Sequence, residues 1–478
     1  MNESLRVLLI NPCATYAHEI AQKCYPPLNL LYLARALLNA GVDVKVLDAN
    51  ALALDDEEIV AFAVRAAPTL IGVPLYTEIL APVYRLVRAL HAALPRARFV
   101  MGGAHASALP RQTLHDFTPV EFILRGHAEQ GIVELCEALQ GKRNWDAVNG
   151  LVYRAEGRVC ENPLARPGPN LDAVGFPARE LVQHLYDHKR YYTLLVKERP
   201  VDTLITSRGC PYACNFCYNQ DHRYRYHSTD HVMEEIVSIY RRGIRDIEIC
   251  DDTFTFQRER AMEIFDRIIR ERLPVSFRIK SRVDVVDREF VRKAKCAGVY
   301  MISYGMESGD DEMLRRMNKR TTVADNERAC RLTKEARIAC HSGWIIGYPG
   351  ETPESIERTV NFIIKIKPTT AQIALLRPYP QTVAYQEAKE KGMLRGDWSI
   401  DSEEYPWVQL PWVRDRAHME SIVQKAVRRV YYRPYYVRKF AAMVLANANV
   451  TLARYAFQEL RKTALNLVRP GRARIGSV

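Results

Sequence analysis

The sequence predicts an α/β protein: an N-terminal doubly wound parallel sheet, a partial (βα)6 barrel behind it, and a basic helical segment at the C-terminus. Three observations predict this. Short unbroken apolar runs alternate with helix-period segments over the first 140 residues. The rhythm breaks in a proline-rich stretch and resumes from 201 to about 395. Behind residue 413 the chain turns basic, with fourteen Lys/Arg against three Asp/Glu, or +11 of a net charge of +12. Apolar runs that do not alternate belong to strands buried on both faces, as in a parallel sheet covered by helices.

In residues 1–140 strands are expected at Val7–Ile10, Val44–Leu47, Leu70–Val73, Phe99–Met101 and Phe122–Leu124. Between them Leu28–Leu38, Ile59–Ala66 and Val83–Leu94 repeat apolar residues at three- and four-residue spacing, the period of an amphipathic helix. Five such units make an open sheet whose ligand sits beyond the carboxyl ends of the strands. Gly72, Gly102 and Gly103 fall at those ends, where backbone can approach a bulky ligand. Residues 141–200 contain ARPGPNLDAVGFP, rich in proline and glycine, and read as a linker.

Over 201–395 strands are expected at Thr203–Thr206, Ile247–Cys250, Val275–Ile279, Val299–Tyr304, Cys340–Ile346 and Gln372–Leu376. A helix over Val232–Arg241 has Ser228 or Thr229 as its cap, and Thr352-Pro353 reads as a cap followed by proline in the first turn. Six units without closing repeats suggest a partial barrel, in which chemistry gathers on the loops after the strands. Residues 396–478 form the basic helical segment.

Composition narrows the function classes. A chain of 478 residues with 48% apolar and 26% charged residues is a soluble globular protein of two or three domains. No run approaches the roughly 18 apolar residues of a membrane-spanning helix, and MNESLRVLLINP does not read as a secretion signal. The eleven cysteines are scattered and odd in number, which favours a reducing, cytoplasmic setting over a disulfide framework. A near-neutral main body argues against a nucleic-acid groove.

Only three cysteines cluster, in Cys210-Pro-Tyr-Ala-Cys214-Asn-Phe-Cys217 on the loop after the first barrel strand. Three thiolates can hold three irons of a 4Fe–4S cube and leave the fourth iron open. An open metal position marks a site that takes a substrate or cofactor. A zinc site is the other reading, with His222 or His227 as fourth ligand.

Cys-x3-Cys-x-aromatic-Cys on the first loop of a partial barrel resembles the radical S-adenosylmethionine (SAM) superfamily. The resemblance implies a cluster on Cys210, Cys214 and Cys217, with SAM chelating the open iron. Reductive cleavage of SAM would then release a 5′-deoxyadenosyl radical that abstracts a substrate hydrogen. It also implies an external reductant such as a flavodoxin or ferredoxin. By the same resemblance Phe216 faces SAM, and Asp251-Asp252-Thr253 after the second strand binds its amino group. Arg282, Asp284 and Glu307 supply ribose and carboxylate contacts, and Ile345 and Gly347 in Gly343–Glu351 meet the adenine. Read without the resemblance, Asp251-Asp252 is a helix cap and Gly347–Gly350 a turn. Arg377-Pro-Tyr-Pro-Gln381-Thr382 resembles a late-barrel Pro-Gly-Thr turn, with Gln381 where relatives often have glycine.

A doubly wound domain ahead of such a barrel resembles the cobalamin-binding class of these enzymes, which includes class B methylases and the anaerobic magnesium-protoporphyrin ester cyclases. The motifs are Ile10-Asn11-Pro12, Pro27-Leu28-x-Leu30, Gly72–Thr77, Gly102–His105 and Arg125-Gly-His127-Ala-Glu129. They imply cobalamin contacts from Asn11, Gly72, Thr77, Gly102, Gly103 and His105. Asp-x-His-x-x-Gly is absent, so His105 is expected at the nucleotide tail or shaping the Gly102-Gly103 loop. The alternative makes this domain a substrate or docking module.

The class implies C-methylation of an unactivated carbon, with oxidative cyclisation or rearrangement of a tetrapyrrole or other metabolite as the alternative. A non-enzymatic metal-cluster regulator is the remaining alternative. The tail from Val427 interleaves aromatics with arginines, a pattern suited to a membrane interface. It suggests an isoprenoid or other lipid substrate and peripheral contact with the inner membrane face.

Overall fold

The computed structural model describes residues 5–13, 23–164, 168, 170–193, 196–219, 221–402 and 405–438. Two sheets organise it. The first contains β1 (Arg6–Asn11), β2 (Asp43–Asp48), β3 (Leu70–Pro74), β4 (Arg98–Gly102) and β5 (Phe122–Leu124), all parallel, in the order β2-β1-β3-β4-β5. Each expected run lies inside a strand. The segment expected as a linker differs: it carries β6 (Leu151–Ala155) and β7 (Arg158–Glu161), which add to β5 antiparallel and widen the sheet to seven strands. Their mixed sequences, LVYRA and RVCE, hold too few apolar residues to announce a strand.

The first sheet is covered on both faces by side chains of alternate parity. Leu8 and Ile10 of β1 enter one core with Ile71, Val73 and Phe99. Val7 and Leu9 enter a second core that continues without interruption into the barrel, through Leu31, Leu37, Leu204, Ile236 and Ile247. Strand periodicity thus splits β1 between a private core and a shared one.

The second sheet is β8 (Val201–Leu204), β9 (Asp246–Ile249), β10 (Ser276–Ser281), β11 (Val299–Glu307), β12 (Ala339–Ile346) and β13 (Thr370–Leu375). Its strands run parallel in chain order, each neighbour reached by a crossover, which is the connectivity of a barrel left open. The helix after the first strand, α1 (Thr229–Arg241), is capped by Ser228, whose side chain accepts from His231 N. The helix after β12, α2 (Pro353–Ile366), has Thr352 as cap in a capping box and proline in its first turn. Behind β13, α3 (Arg416–Tyr431) lies against the open edge, where the Tyr431 hydroxyl accepts from Ala371 N and donates to Ala371 O. This part of the basic segment therefore packs on the barrel. Residues 439–478, the rest of the tail singled out in the sequence, lie outside the described residues. No helix among the described residues is long and apolar enough to cross a membrane.

Arg179, in the segment between the sheets, locks that segment to the first barrel unit. It is 3% exposed and reaches Asp202 at 2.8 Å, Glu235 at 2.7 Å and Thr203 O at 2.7 Å. Removing one partner of such a group strands two buried carboxylates, which costs about 3–5 kcal/mol. Arg179→Ala is therefore expected to depress the thermal midpoint strongly or to yield insoluble protein. Arg179→Met paired with Asp202→Asn and Glu235→Gln should recover most of the loss, measured by differential scanning fluorimetry.

Candidate functional site

The cysteine loop, residues 209–224, hangs between two short antiparallel strands, Ser207–Arg208 and Arg225–Tyr226. Gly209 opens it at φ +83°, and a Cβ there would meet Arg223 O at 2.2 Å, so only glycine fits. Cys210 N donates to Asp221 O, and Cys217 N donates to Cys214 O at 3.1 Å. The far side is fastened to the barrel: Asn215 N and side chain donate to Met317 O and Arg316 O, and Asn215 O accepts from Ala384 N. The loop is thus fixed at its base and its tip.

Loss of solvent, then the neighbouring Cys214 and Cys210 thiols, push the Cys217 thiol up to about 12, although the residue as a whole is exposed. Burial also raises Cys210. The Cys210 and Cys217 thiols, which resist ionisation alone, are converted to thiolates by bound metal, whose charge inverts the balance. Thiolates around one zinc ion stand roughly 3.8 Å apart, given bonds of about 2.3 Å. Among the described residues these three sulfurs do not gather within 4.8 Å. His222 is bound to Asn219, and His227 is fully buried against Asp172. The sulfurs are thus not drawn together as a single zinc ion would hold them.

The structure separates the two aspartates after β9. Asp251 is 1% exposed and fully used: it accepts from Thr206 N, Thr206 Oγ1 and Ser207 Oγ, each at 2.6 Å. It braces the strand leading to Cys210, buried and committed to three donors of the chain, where the sequence expectation gave it a ligand's amino group. Asp252 is exposed, and its charge reaches Cys210 and Cys217. Neither caps a helix, since the next one begins at Arg258.

Arg282 lies 3.7 Å over the Tyr212 ring, pairs with Asp284 at 3.0 Å and donates to Lys319 O. It therefore holds the cysteine loop from beneath. Glu307, buried with φ +60°, accepts from Lys319 Nζ at 2.9 Å. Burial opposes the Lys319 charge, and Glu307 more than restores it. Lys319 also stands 5.8 Å from the Phe216 ring. The sequence reading missed Lys319, and its spacing from Glu307 carries no motif; only the fold joins them. Ile345 lies in β12 beside Ala374. Gly347, at φ +93°, donates to Glu351, and a Cβ on it would meet Leu375 and Met419 within 3 Å.

At the first sheet, Asn11 donates to Asp48 at 2.8 Å, and Asp48 also accepts from Tyr191. His105 is buried with Nδ1 3.2 Å from Thr77 Oγ1, and burial lowers it to about 4, which keeps it neutral. With Gly103 at φ +92° and Leu75 O 2.8 Å from a virtual Cβ, these residues shape the loop. Gly72 sits inside β3 facing Leu9, so its smallness serves strand packing and not ligand approach. A Cβ on Gly102 would press on Leu124 O at 3.2 Å. The strand order places a switch point between β1 and β3, where sheets of this kind bind ligands. The exposed ring of Tyr76 follows β3 at that rim, which fits a large flat cofactor.

The two sheets meet through their carboxyl-end loops. Arg208, two residues before Cys210, pairs with Glu129 at 2.6 Å, contacts His127 at 3.3 Å and covers the Tyr32 ring at 4.8 Å. Burial works against the Glu129 carboxylate, and Arg208 overrides it, holding Glu129 below its ordinary value. On the other side Tyr379 bonds Glu78, Tyr405 OH donates to Glu78 O at 2.9 Å, and Gln381 bonds Ala108 O.

Comparison with known proteins agrees with both halves. The radical SAM superfamily model matches residues 204–363, and the B12 binding domain model matches residues 19–136. An uncharacterized methyltransferase of Pyrococcus horikoshii is 28% identical, covering 90% of this chain and 92% of its own. The anaerobic magnesium-protoporphyrin IX monomethyl ester cyclase of Rubrivivax gelatinosus is 28% identical over 89% and 77% of the two chains. The hopanoid C-3 methylase of Methylococcus capsulatus is 28% identical over 75% and 68%. Among solved structures, the radical SAM methyltransferase TsrM of Kitasatospora setae superposes with a TM-score of 0.72 at 21% identity, covering 91% and 90%. The cobalamin-dependent SAM radical enzyme OxsB superposes with 0.77 at 17%, covering 96% and 71%.

The Gly347–Glu351 turn yields a pH test. Burial raises Glu351 to about 8, and its Oε1 has no hydrogen-bond partner among the described residues. The folded carboxyl keeps its proton to about pH 8, whereas the unfolded one loses it near 4.5, so its contribution is complete below 4.5 and fades as pH rises through 8. Glu351→Gln should match the wild type at pH 5 and melt about 1 °C higher at pH 8.5 for each kcal/mol recovered, by scanning fluorimetry. Equal midpoints at both pH values would sink this account.

Proposed function

We propose a function from one premise: the chain is a radical SAM enzyme that carries a B12-binding domain. It uses a 4Fe–4S cluster, SAM and cobalamin. The reaction we assign is C-methylation of an unactivated carbon in an apolar substrate, an isoprenoid or other lipid. The observation that carries the reading is the meeting of the two sheets' carboxyl-end loops at Arg208–Glu129 and Tyr379–Glu78, because methyl transfer needs the radical-generating and methyl-carrying sites to open on a common space. Two methyltransferases among the relatives, one acting on hopanoids by its name, support it.

The three cofactors supply the hydrogen-abstracting radical and the methyl group; the chain supplies position and shelter. Cys210, Cys214 and Cys217 hold the cluster in a loop pinned by Asn215 and Arg282. Asp252, exposed beside that loop, receives the SAM amino group, and the Glu307–Lys319 pair with Phe216 presents charge and an aromatic face on the same side. The Ile345–Gly347 backbone takes the adenine. Asn11, Thr77, Gly102, Gly103 and His105 shape the B12 rim. The exposed aromatics Tyr76 and Phe256 both follow sheet strands and favour an apolar substrate. An external flavodoxin or ferredoxin provides the electron.

Anaerobic enzyme with dithionite, cobalamin and methyl-labelled SAM is expected to release 5′-deoxyadenosine and S-adenosylhomocysteine together, scored by mass spectrometry. Cys210→Ala should lose cluster absorbance and both products to background, because the cube needs all three thiolates. If only 5′-deoxyadenosine forms with every substrate class offered, methylation is wrong and oxidative cyclisation takes its place.

The lipid assignment is tested separately. Exposed Tyr432 and Val437 lead into the basic tail, a composition suited to an anionic membrane surface. We expect the full chain to co-sediment with anionic vesicles at low salt, to release at high salt, and to label a lipid extract from methyl-SAM. Labelling of a water-soluble metabolite or peptide alone would refute a lipid substrate.

A further inference from the structure

The barrel strands turn alternate side chains outward to their helices and inward to the lumen. Phe277 and Ile279 of β10, Ile302 and Tyr304 of β11, and Cys340 and Ile346 of β12 enter the hydrophobic core. The residues between them face the lumen. Lys280 is one of these, in register with Ser303, which is in register with His341. A strand flanks β10 on each side, yet Lys280 is exposed. Its exposure is therefore to the lumen, which is open to solvent at that level.

One layer nearer the amino ends of the strands, the lumen has a floor whose charges are balanced. Arg278, in register with Glu248, bonds that carboxylate, and the Tyr25 hydroxyl bonds both. Arg278 also donates to Thr193 at 3.3 Å. Thr193 belongs to the short antiparallel pair Lys23–Cys24 with Tyr192–Thr193, and Tyr25 follows it, so chain from outside the barrel closes this end. In the other direction Arg282 lies over Tyr212 of the cysteine loop. Lys280 stands between these layers, two residues or about 6.6 Å below Arg282.

The Lys280 ammonium makes no hydrogen bond and no ion pair among the described residues. Its charge is felt at Glu248 on one side and Asp252 on the other, without contact at either. Glu248 is already paired with Arg278, and Asp252 is the carboxylate assigned above to the SAM amino group. His341 is bound through Nδ1 to Thr370 at 2.7 Å, and burial lowers its pKa, so it brings no counter-charge. With SAM in place, Lys280 has no anion of this chain left to meet. A lone ammonium facing a recess suits an anionic ligand, which lysine holds as a point charge.

We infer that Lys280 anchors an anionic group of the substrate, a carboxylate or a phosphate, at the bottom of the open lumen. The substrate then stands acid end down, with the rest of its body at the level of the cysteine loop. This deepens the proposed reaction by giving its lipid an acidic end, and it rests on that reading for the apolar body alone. Lys280 selects and orients the substrate and takes no part in making or breaking its bonds.

Cluster-loaded full-length enzyme with SAM bound is titrated anaerobically, by calorimetry, with dodecyl phosphate, dodecanoate and dodecanol. At least one of the two acids is expected to bind roughly tenfold or more tighter than the alcohol, the effect of one charge-assisted contact. Lys280→Gln should lose that preference and Lys280→Arg keep most of it, each with cluster iron and SAM affinity at wild-type values. Equal binding of acids and alcohol by the wild type, or an acid preference that survives in Lys280→Gln, overturns the anchor. So does a fall in SAM affinity in Lys280→Gln, which would put the lysine on the SAM carboxylate. Acidic and neutral fractions of a lipid extract and of a water-soluble extract are then compared for 5′-deoxyadenosine released above the substrate-free background. Stimulation by an acidic soluble fraction alone keeps the anchor and refutes the lipid reading. Stimulation by neutral lipid alone keeps the lipid reading and overturns the anchor.

Discussion

The guanidinium of Arg208 is the contact on which the site's geometry turns. It sits two residues ahead of the first clustered cysteine, yet its partners Glu129, His127 and Tyr32 all belong to the first sheet's domain. A charge so enclosed needs its carboxylate close, because an unpaired buried ion is far costlier than the pair is favourable. The position of the cysteine loop is thereby referred to the B12-binding domain as well as to the barrel. Asp251 does the complementary work inside the barrel, gripping Thr206 and Ser207 just upstream. Between them the strand entering the loop is held on two sides before any cofactor is considered.

Much of the fold was legible in the sequence because buried parallel strands cannot hide: of the five runs from Val7–Ile10 to Phe122–Leu124, only Val44–Leu47 holds a charged residue, Lys45. The hairpin Leu151–Glu161 was not legible. It lies at a sheet edge, where one face meets solvent and a short alternation looks like loop. In the site, the cysteine loop was plain from spacing alone. The division of labour between Asp251 and Asp252 was not, since both are aspartate and only burial tells the brace from the exposed carboxylate. Lys319 was invisible for a different reason: its meaning comes from Glu307, brought to it by a left-handed turn that sequence does not mark in a glutamate.

Gln381 shows how a departure from a family pattern can be structural. It holds φ +65°, the conformation for which glycine is the usual residue, and its side chain bonds Ala108 O in the first domain. The strain of a left-handed glutamine, of order 1 kcal/mol, is set against a contact that glycine could not make. With Tyr379 and Tyr405 on Glu78, this contact mirrors Arg208 on the opposite side of the junction. The shared hydrophobic core beneath, running from Leu9 to Ile247, makes the two sheets one cooperative body rather than two beads on a string.

The hairpin β6–β7 bears on how this architecture could have been assembled by evolution. A B12 domain that ended at β5 would expose three residues of bare strand edge, an invitation to pair with any passing chain. Because the two extra strands come from the stretch that also carries Arg179, the seal on that edge and the fastening of the barrel lie on one contiguous piece of chain. Recombination between relatives would then succeed at a crossover ahead of β6 only when the incoming half brings its own edge strands.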